Sequence, residues 1–149
     1  DEVNDVHSDW IKESIEDETP EKGTVAILGV TYKPSTHIVE ESQGLQLLST
    51  IDDQYEIRCY DPAGIESIRP RVDREVTYAE SVEAALEGAD SVVITVPWSE
   101  FEDPALYTDR ALSVIDPWRL LRGAEGMDRA SYHPLGARRA ANPTFRDDN

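Results

Sequence analysis

The chain has 149 residues and carries 14 Lys and Arg against 31 Asp and Glu, a formal net charge of −17 with histidine neutral. That length fits one domain with a modest core. So large a negative excess argues against nucleic acid or an anionic membrane surface as partner, because phosphates would be repelled. No run approaches the ~20 apolar residues of a membrane span, and no basic-then-apolar leader pattern is read at the start, so a cytoplasmic protein is expected. Cys59 is the single cysteine, which excludes an internal disulfide and a cysteine-based metal cluster. Only Lys12, Lys22 and Lys33 are lysines, and the other positive residues are arginines. A surface this acidic repels itself at low salt and is relieved where the screening length shrinks to ~3 Å, near ~1 M salt. A salt-loving source is therefore expected, against the plainer reading of charge kept for solubility.

In chain order, the opening residues are acidic, with a short helix expected around Val6, Trp10, Ile11 and Ile15. Thr19-Pro20-Glu21-Lys22-Gly23 follows as a linker-like break. A start without methionine, in mid-pattern, suggests a piece of a longer protein. Val25-Ala26-Ile27-Leu28 is a continuous apolar run ending at Gly29, the signature of a buried strand. Ser42 is placed to cap a helix with Leu45, Leu48 and Ile51 along one face. Residues 55–60 read as a second strand stopped by Asp61-Pro62-Ala63-Gly64, and residues 76–78 as a short third. Ser81 is placed to cap a helix whose Val82, Ala85, Leu86 and Ala89 recur at helical spacing. Residues 91–96 are the clearest buried strand, halted by Pro97, and residues 112–115 are the last, ending at Asp116-Pro117. Strands alternating with helices imply parallel pairing. The expected fold is therefore α/β: a Rossmann-like, doubly wound parallel sheet of about five strands with helices on both faces.

Ligands of such sheets lie beyond the carboxyl ends of the strands. The connection leaving the first strand runs from Gly29 to His37 and holds one glycine, not the Gly-x-Gly-x-x-Gly through which a pyrophosphate approaches a helix N-terminus. Independent NAD binding is not expected. Lys33, the cation of that loop, could pair with a phosphate beside Thr31, Ser35 and Thr36, or could be a solvated loop residue. Asp61 could accept ribose hydroxyls or could serve the turn with Pro62. Trp98 and Trp118 each follow a strand-ending proline and could form a stacking wall or roof the core. His7, His37 and His133 show no metal-ligand spacing, and Cys59 lies inside a strand, so neither a metal site nor a catalytic nucleophile is assigned.

Val25-Ala26-Ile27-Leu28-Gly29-Val30-Thr31-Tyr32-Lys33-Pro34-Ser35-Thr36 followed by Glu41-Ser42 resembles the opening of the C-terminal domain of the UDP-glucose/GDP-mannose dehydrogenase family, which writes Gly-Leu-Ala-Phe-Lys-Pro-Asn-Thr-Asp-Asp-x-Arg-Glu-Ser. Further matches in register are Tyr60-Asp61-Pro62, the strand from Ala89-Asp90 to Val96 with Trp98 and Phe101 after it, and Val114-Ile115-Asp116. Residues 1–23 then resemble the end of a linker helix from a central domain absent here. Residues 24–122 resemble the nucleotide-sugar-binding domain, and residues 123–149 are read as a mostly irregular C-terminal tail.

The resemblance implies a parent enzyme, a homo-oligomer, that oxidises the C6 alcohol of a UDP-sugar in two NAD-dependent steps. The NAD domain and the catalytic cysteine lie outside this chain, so the chain alone is not expected to turn over substrate. Tyr32, Lys33 and Arg119 are the implied substrate-binding residues, Arg119 matching an arginine offered across the dimer. His37-Ile38 stands where the family has Asp-Asp, and Glu40 where it has arginine; exchanging a cation for an anion near a diphosphate is unfavourable by Coulomb's law. Those exchanges leave open a stand-alone module, for binding, regulation or oligomerisation, with the same fold.

Overall fold

Each continuous apolar run becomes a strand because its side chains must be covered on both faces. The computed structural model describes residues 2–30, 43–63, 66, 68–108 and 110–135. Its strands are β1 (Thr24–Leu28), β2 (Glu56–Tyr60), β3 (Thr77–Tyr78), β4 (Ser91–Ile94), β5 (Ser113–Asp116) and β6 (Ser131–Pro134). They form one six-stranded sheet in the order β3-β2-β1-β4-β5-β6, and every pairing is parallel. The order reverses between β1 and β4, which sets the crevice of a doubly wound sheet at their carboxyl ends.

Alternate residues of the central strands feed two separate cores. Val25 and Ile27 of β1, Val93 of β4 and Ile115 of β5 pack with Ile11 and Ile15 of helix α1 (Glu2–Glu18) and Leu45 and Leu48 of helix α2 (Gln43–Thr50). Ala26, Leu28, Val92, Ile94 and Val114 pack on the other face with Val82, Ala85 and Leu86 of helix α3 (Val82–Leu86) and Tyr107 of helix α4 (Ala105–Thr108). Helices thus cover both faces, as the sequence pattern predicts. Full burial of one such aliphatic side chain stabilises by ~1.5–3 kcal/mol.

Local signals explain most element ends. Ser81 caps α3, its hydroxyl accepting from Ala84 N at 3.0 Å. Ser42, the expected cap of α2, lies outside the described residues. The N-terminal helix is longer than expected, running from Glu2 to Glu18 with Ile11 and Ile15 driven into the core. The fourth strand stops at Ile94, because Thr95 turns its hydroxyl onto the carbonyls of Leu28 and Gly29 and Trp98 N closes a tight turn on Val96 O at 2.9 Å.

The sheet has six strands rather than about five, and the addition lies in the segment expected to be mostly irregular. Ser131-Tyr132-His133-Pro134 has no apolar run to announce it, yet it pairs in register with β5 from Ser113↔Ser131 to Asp116↔Pro134. Proline is tolerated there because β6 is an edge strand. Among the described residues no helix is long and apolar enough to cross a membrane.

Candidate functional site at the carboxyl edge of the sheet

The first turn after β1 is a narrow place. Gly29 has φ +97°, and a Cβ on it would stand 2.8 Å from Val96 Cβ, so conformation and space both demand glycine. Gly44 brings the start of α2 against the same turn; a Cβ there would collide with the Gly29 carbonyl oxygen and lie 2.8 Å from Val30 Cγ1. These two glycines, 15 positions apart, do what a glycine-rich fingerprint does elsewhere: they allow helix and turn to approach closely.

The backbone N–H that such a turn would aim at a pyrophosphate is already engaged. Val30 N donates to Asp61 Oδ2 at 2.6 Å, and Ala63 N donates to Asp61 Oδ1 at 2.8 Å. Asp61 is only 5% exposed. It therefore knits the β1 turn to the β2 end, and of the two readings open in the sequence the turn-making one describes its geometry. A protein carboxylate sits where a ligand's anionic group would otherwise meet that N–H.

Across the switch point, hydrogen bonds run strand to strand. Gly29 N donates to Tyr60 O at 2.8 Å and Thr95 N to Leu28 O at 3.0 Å. Trp118, just past β5, donates its indole Nε1 to Thr95 O at 2.9 Å and remains 43% exposed. Trp98 instead packs against the core beside α3 and α4. Of the two tryptophans, Trp98 thus packs on the core as the roofing alternative requires, while Trp118 is exposed past the end of β5.

Tyr60, at the end of β2, donates its hydroxyl to Glu100 Oε2 at 2.7 Å and meets Phe101 edge-on, ring centroids 6.2 Å apart. Burial, reinforced by the Glu100 carboxylate, pushes the Tyr60 phenol up to about 12.

The outer rim is built by polar groups. Asp116, fully buried at the end of β5, accepts from Leu121 N at 2.9 Å and Tyr132 Oη at 2.6 Å through Oδ2. Its carbonyl accepts from Arg119 N at 3.2 Å and Leu135 N at 3.1 Å. Arg119 is exposed, with φ +56°, and its Nε donates to Leu135 O at 2.9 Å. Of two neighbouring residues, Trp118 therefore leans towards β4 and Arg119 towards β6. Tyr32 and Lys33, the other two expected substrate contacts, lie outside the described residues, as do His37, Ile38 and Glu40.

Cys59 is fully buried in β2, and burial pushes its thiol up to about 12, the reverse of what a nucleophile requires. His7 sits on α1 and His133 on β6, where His133 Nε2 lies 3.3 Å from Glu18 Oε1 and 3.0 Å from Ser131 Oγ. No cluster of His, Cys, Asp and Glu among the described residues could hold a metal ion. Sequence reasoning missed Thr95, Gly44, Asp116 as a hub, and Tyr132. A hydroxyl residue inside the apolar run at 91–96 was the available signal for Thr95; nothing local marks Tyr132.

Comparison with known proteins agrees with this geometry. Residues 26–122 match the model of the UDP-glucose/GDP-mannose dehydrogenase family, UDP binding domain. UDP-glucose 6-dehydrogenase AglM of Haloferax volcanii is 33% identical over 110 residues, covering 72% of this chain and 25% of that protein. UDP-glucose 6-dehydrogenase YwqF of Bacillus subtilis is 30% identical over 131 residues, covering 76% of this chain and 29% of that protein. The chain thus spans between 18% and 29% of the length of the relatives it matches. Among solved structures, a UDP-glucose dehydrogenase from the hyperthermophilic archaeon Pyrobaculum islandicum superposes with a TM-score of 0.62 at 25% identity, over 89% of this chain and 29% of that one. The UDP-N-acetyl-mannosamine dehydrogenase Cap5O of Staphylococcus aureus shares the fold, with a TM-score of 0.59 at 19% identity over 88% of this chain and 30% of that one. A parallel 3-2-1-4-5-6 sheet, a first turn without a dinucleotide fingerprint and a family match over its central strands lead to one conclusion: the chain belongs to the UDP-glucose/GDP-mannose dehydrogenase family and carries its UDP binding domain.

Proposed function

We propose that this chain is the substrate-side domain of an NAD-dependent UDP-sugar 6-dehydrogenase, and that it holds the UDP end of the substrate at the carboxyl edge of its sheet. Tyr32 and Lys33, in the segment that follows β1 in the sequence, and Arg119, after β5, are the ligand contacts. Lys33 supplies charge to the diphosphate, while Arg119, turned away from the switch point towards β6, is offered to a neighbouring copy. The parent enzyme is a cytoplasmic homo-oligomer. Its NAD site and covalent chemistry lie elsewhere, so this domain contributes orientation and phosphate neutralisation, not hydride removal.

The observation that carries this reading is the engagement of Val30 N by the Asp61 carboxylate within a family-matched UDP binding domain. A dinucleotide would have to displace a buried carboxylate to use that turn, whereas a nucleotide held by side chains on the rim would not. The inert environment of Cys59 supports placing the chemistry outside this chain. With a net charge of −17, the domain is read as salt-adapted, so binding belongs in molar potassium chloride.

Calorimetric titration with UDP, GDP and NAD tests the proposal. UDP should release heat and NAD should not, and Lys33→Ala should weaken UDP by about 1.5–3 kcal/mol, the range for a hydrogen bond to a charged group. Binding of NAD without UDP would overturn the reading, and an unchanged affinity in Lys33→Ala would remove Lys33 from the site.

A further inference from the structure

We infer that Asp116 and Tyr132 are a positioning pair for Arg119, and that β6, beyond the segment matching the family model, is part of the ligand rim. The inference rests on the reading of Arg119 as a ligand contact and adds to it how the guanidinium is held before any ligand arrives.

Asp116 ties down the whole turn that carries Arg119. Its carbonyl takes the N–H of Arg119, and its Oδ2 takes Leu121 N, so both sides of the arginine are anchored to one residue. The same Oδ2 takes the Tyr132 hydroxyl at 2.6 Å, a short bond of the kind a carboxylate makes, and joins the turn to β6. Leu135, one residue past β6, closes the loop from the other side: its N–H returns to Asp116 O, and its carbonyl receives Arg119 Nε.

Two features of this arrangement are unfavourable by themselves. Asp116 Oδ1 is buried and has no hydrogen-bond partner among the described residues, and a buried polar atom left unpaired costs free energy. Arg119 holds φ +56°, a region that residues with a Cβ rarely adopt. A turn serving stability alone would do better with glycine at position 119. Together the two features hold an exposed arginine with its backbone and Nε both engaged, and among the described residues its terminal Nη groups make no hydrogen bond. Among the described residues no carboxylate pairs with them. A guanidinium ordered in advance loses less freedom on meeting a phosphate, so the affinity it confers is larger. Its natural ligand group is a phosphate or diphosphate oxygen. Tyr132 and Leu135 lie past residue 122, where the family match ends, so part of what shapes this rim comes from outside the matched segment.

The test uses the 149-residue chain with arginine-labelled nitrogen and follows the side-chain Nε–H signals. In the unliganded protein the Arg119 Nε–H should exchange with water several-fold more slowly than that of Arg122, which is exposed on the same turn. Tyr132→Phe, which removes one oxygen atom, should bring Arg119 to the Arg122 rate while the other arginines keep theirs. Equal rates for Arg119 and Arg122 in the native chain, or a Tyr132→Phe effect shared by all arginines, would overturn the inference. A second arm measures UDP affinity in a double-mutant cycle at protein concentrations where the chain self-associates, so that Arg119 can reach the ligand of a neighbouring copy. Tyr132→Phe should weaken UDP about three- to tenfold in the native background and not at all in Arg119→Ala, the coupling expected within one hydrogen-bond network. Equal weakening in both backgrounds would also overturn it. Absence of UDP binding in the native chain would instead defeat the functional reading, and the exchange rates would still decide whether Arg119 is held as described.

Discussion

The centre of the sheet and its β5–β6 rim are held together by different physics. At β1 and β4, Ala26, Ile27, Leu28, Val92, Val93 and Ile94 are all fully buried, and stability there comes from apolar area removed from water. At the rim, Asp116, Tyr132, Leu135 and Arg119 are joined by directed hydrogen bonds, and β6 is at best half-buried. Burial is non-directional and tolerates any apolar residue of similar size. Hydrogen bonds demand particular atoms at particular places. The centre therefore supports the fold, and the rim determines where a charged side chain stands.

Substitutions should separate the two regions by magnitude. Leu28→Ala in the centre should cost ~2–5 kcal/mol of unfolding free energy, read from denaturant midpoints, through lost transfer and a cavity. A cost below that of a rim substitution would break the contrast. Gly44→Ala should cost about 1–3 kcal/mol by overpacking the junction of α2 with the β1 turn. Asp116→Ala, which leaves Leu121 N and Tyr132 Oη without their acceptor, should also cost about 1–3 kcal/mol, with a larger proportional effect on UDP binding than on stability.

Smaller effects sharpen the same comparison at the β2 end. Tyr60 has an ordinary value of 10.0, and burial with the Glu100 bond raises it to about 12 in the folded chain. The folded phenol keeps its proton to higher pH than the unfolded one. Its contribution is thus complete below pH 10 and is lost as pH rises through 12. Tyr107 and Tyr132 shift in the same direction, chiefly by burial. Denaturant midpoints should accordingly fall on the alkaline side in step with tyrosinate absorbance, and Tyr60→Phe should flatten part of that fall. Asp53→Asn is the smallest change: its carboxylate is 99% exposed and 3.7 Å from Arg74, so the midpoint should not move measurably.

What was legible in the sequence follows this division. The apolar stretches 25–28, 91–96 and 112–115 announced strands, because a parallel strand buried on both faces has no polar alternation; the structure ends the second of them at Ile94 and carries the third on to Asp116. Ser81 announced its helix start through a local bond to Ala84 N. β6 stayed hidden because Ser131, Tyr132 and His133 satisfy no periodic pattern; their strand geometry comes from pairing with β5. Asp61 was visible as a candidate and ambiguous in role, since ribose recognition and turn-making ask for the same residue at the same strand end. Its contacts with Val30 N and Ala63 N describe the turn.

The sequence by itself determined the class of the molecule: parallel strands, helices over both faces, a first turn without a dinucleotide fingerprint, and a thiol inside a strand. These are local or periodic properties, set by neighbours a few positions away. Only the tertiary structure decided which way Arg119 leans, that Asp116 and Tyr132 meet across 16 positions, and that a sixth strand completes the rim. Those features arise from hydrogen bonds between segments distant in the chain, whose partners exist only once the sheet has brought them side by side.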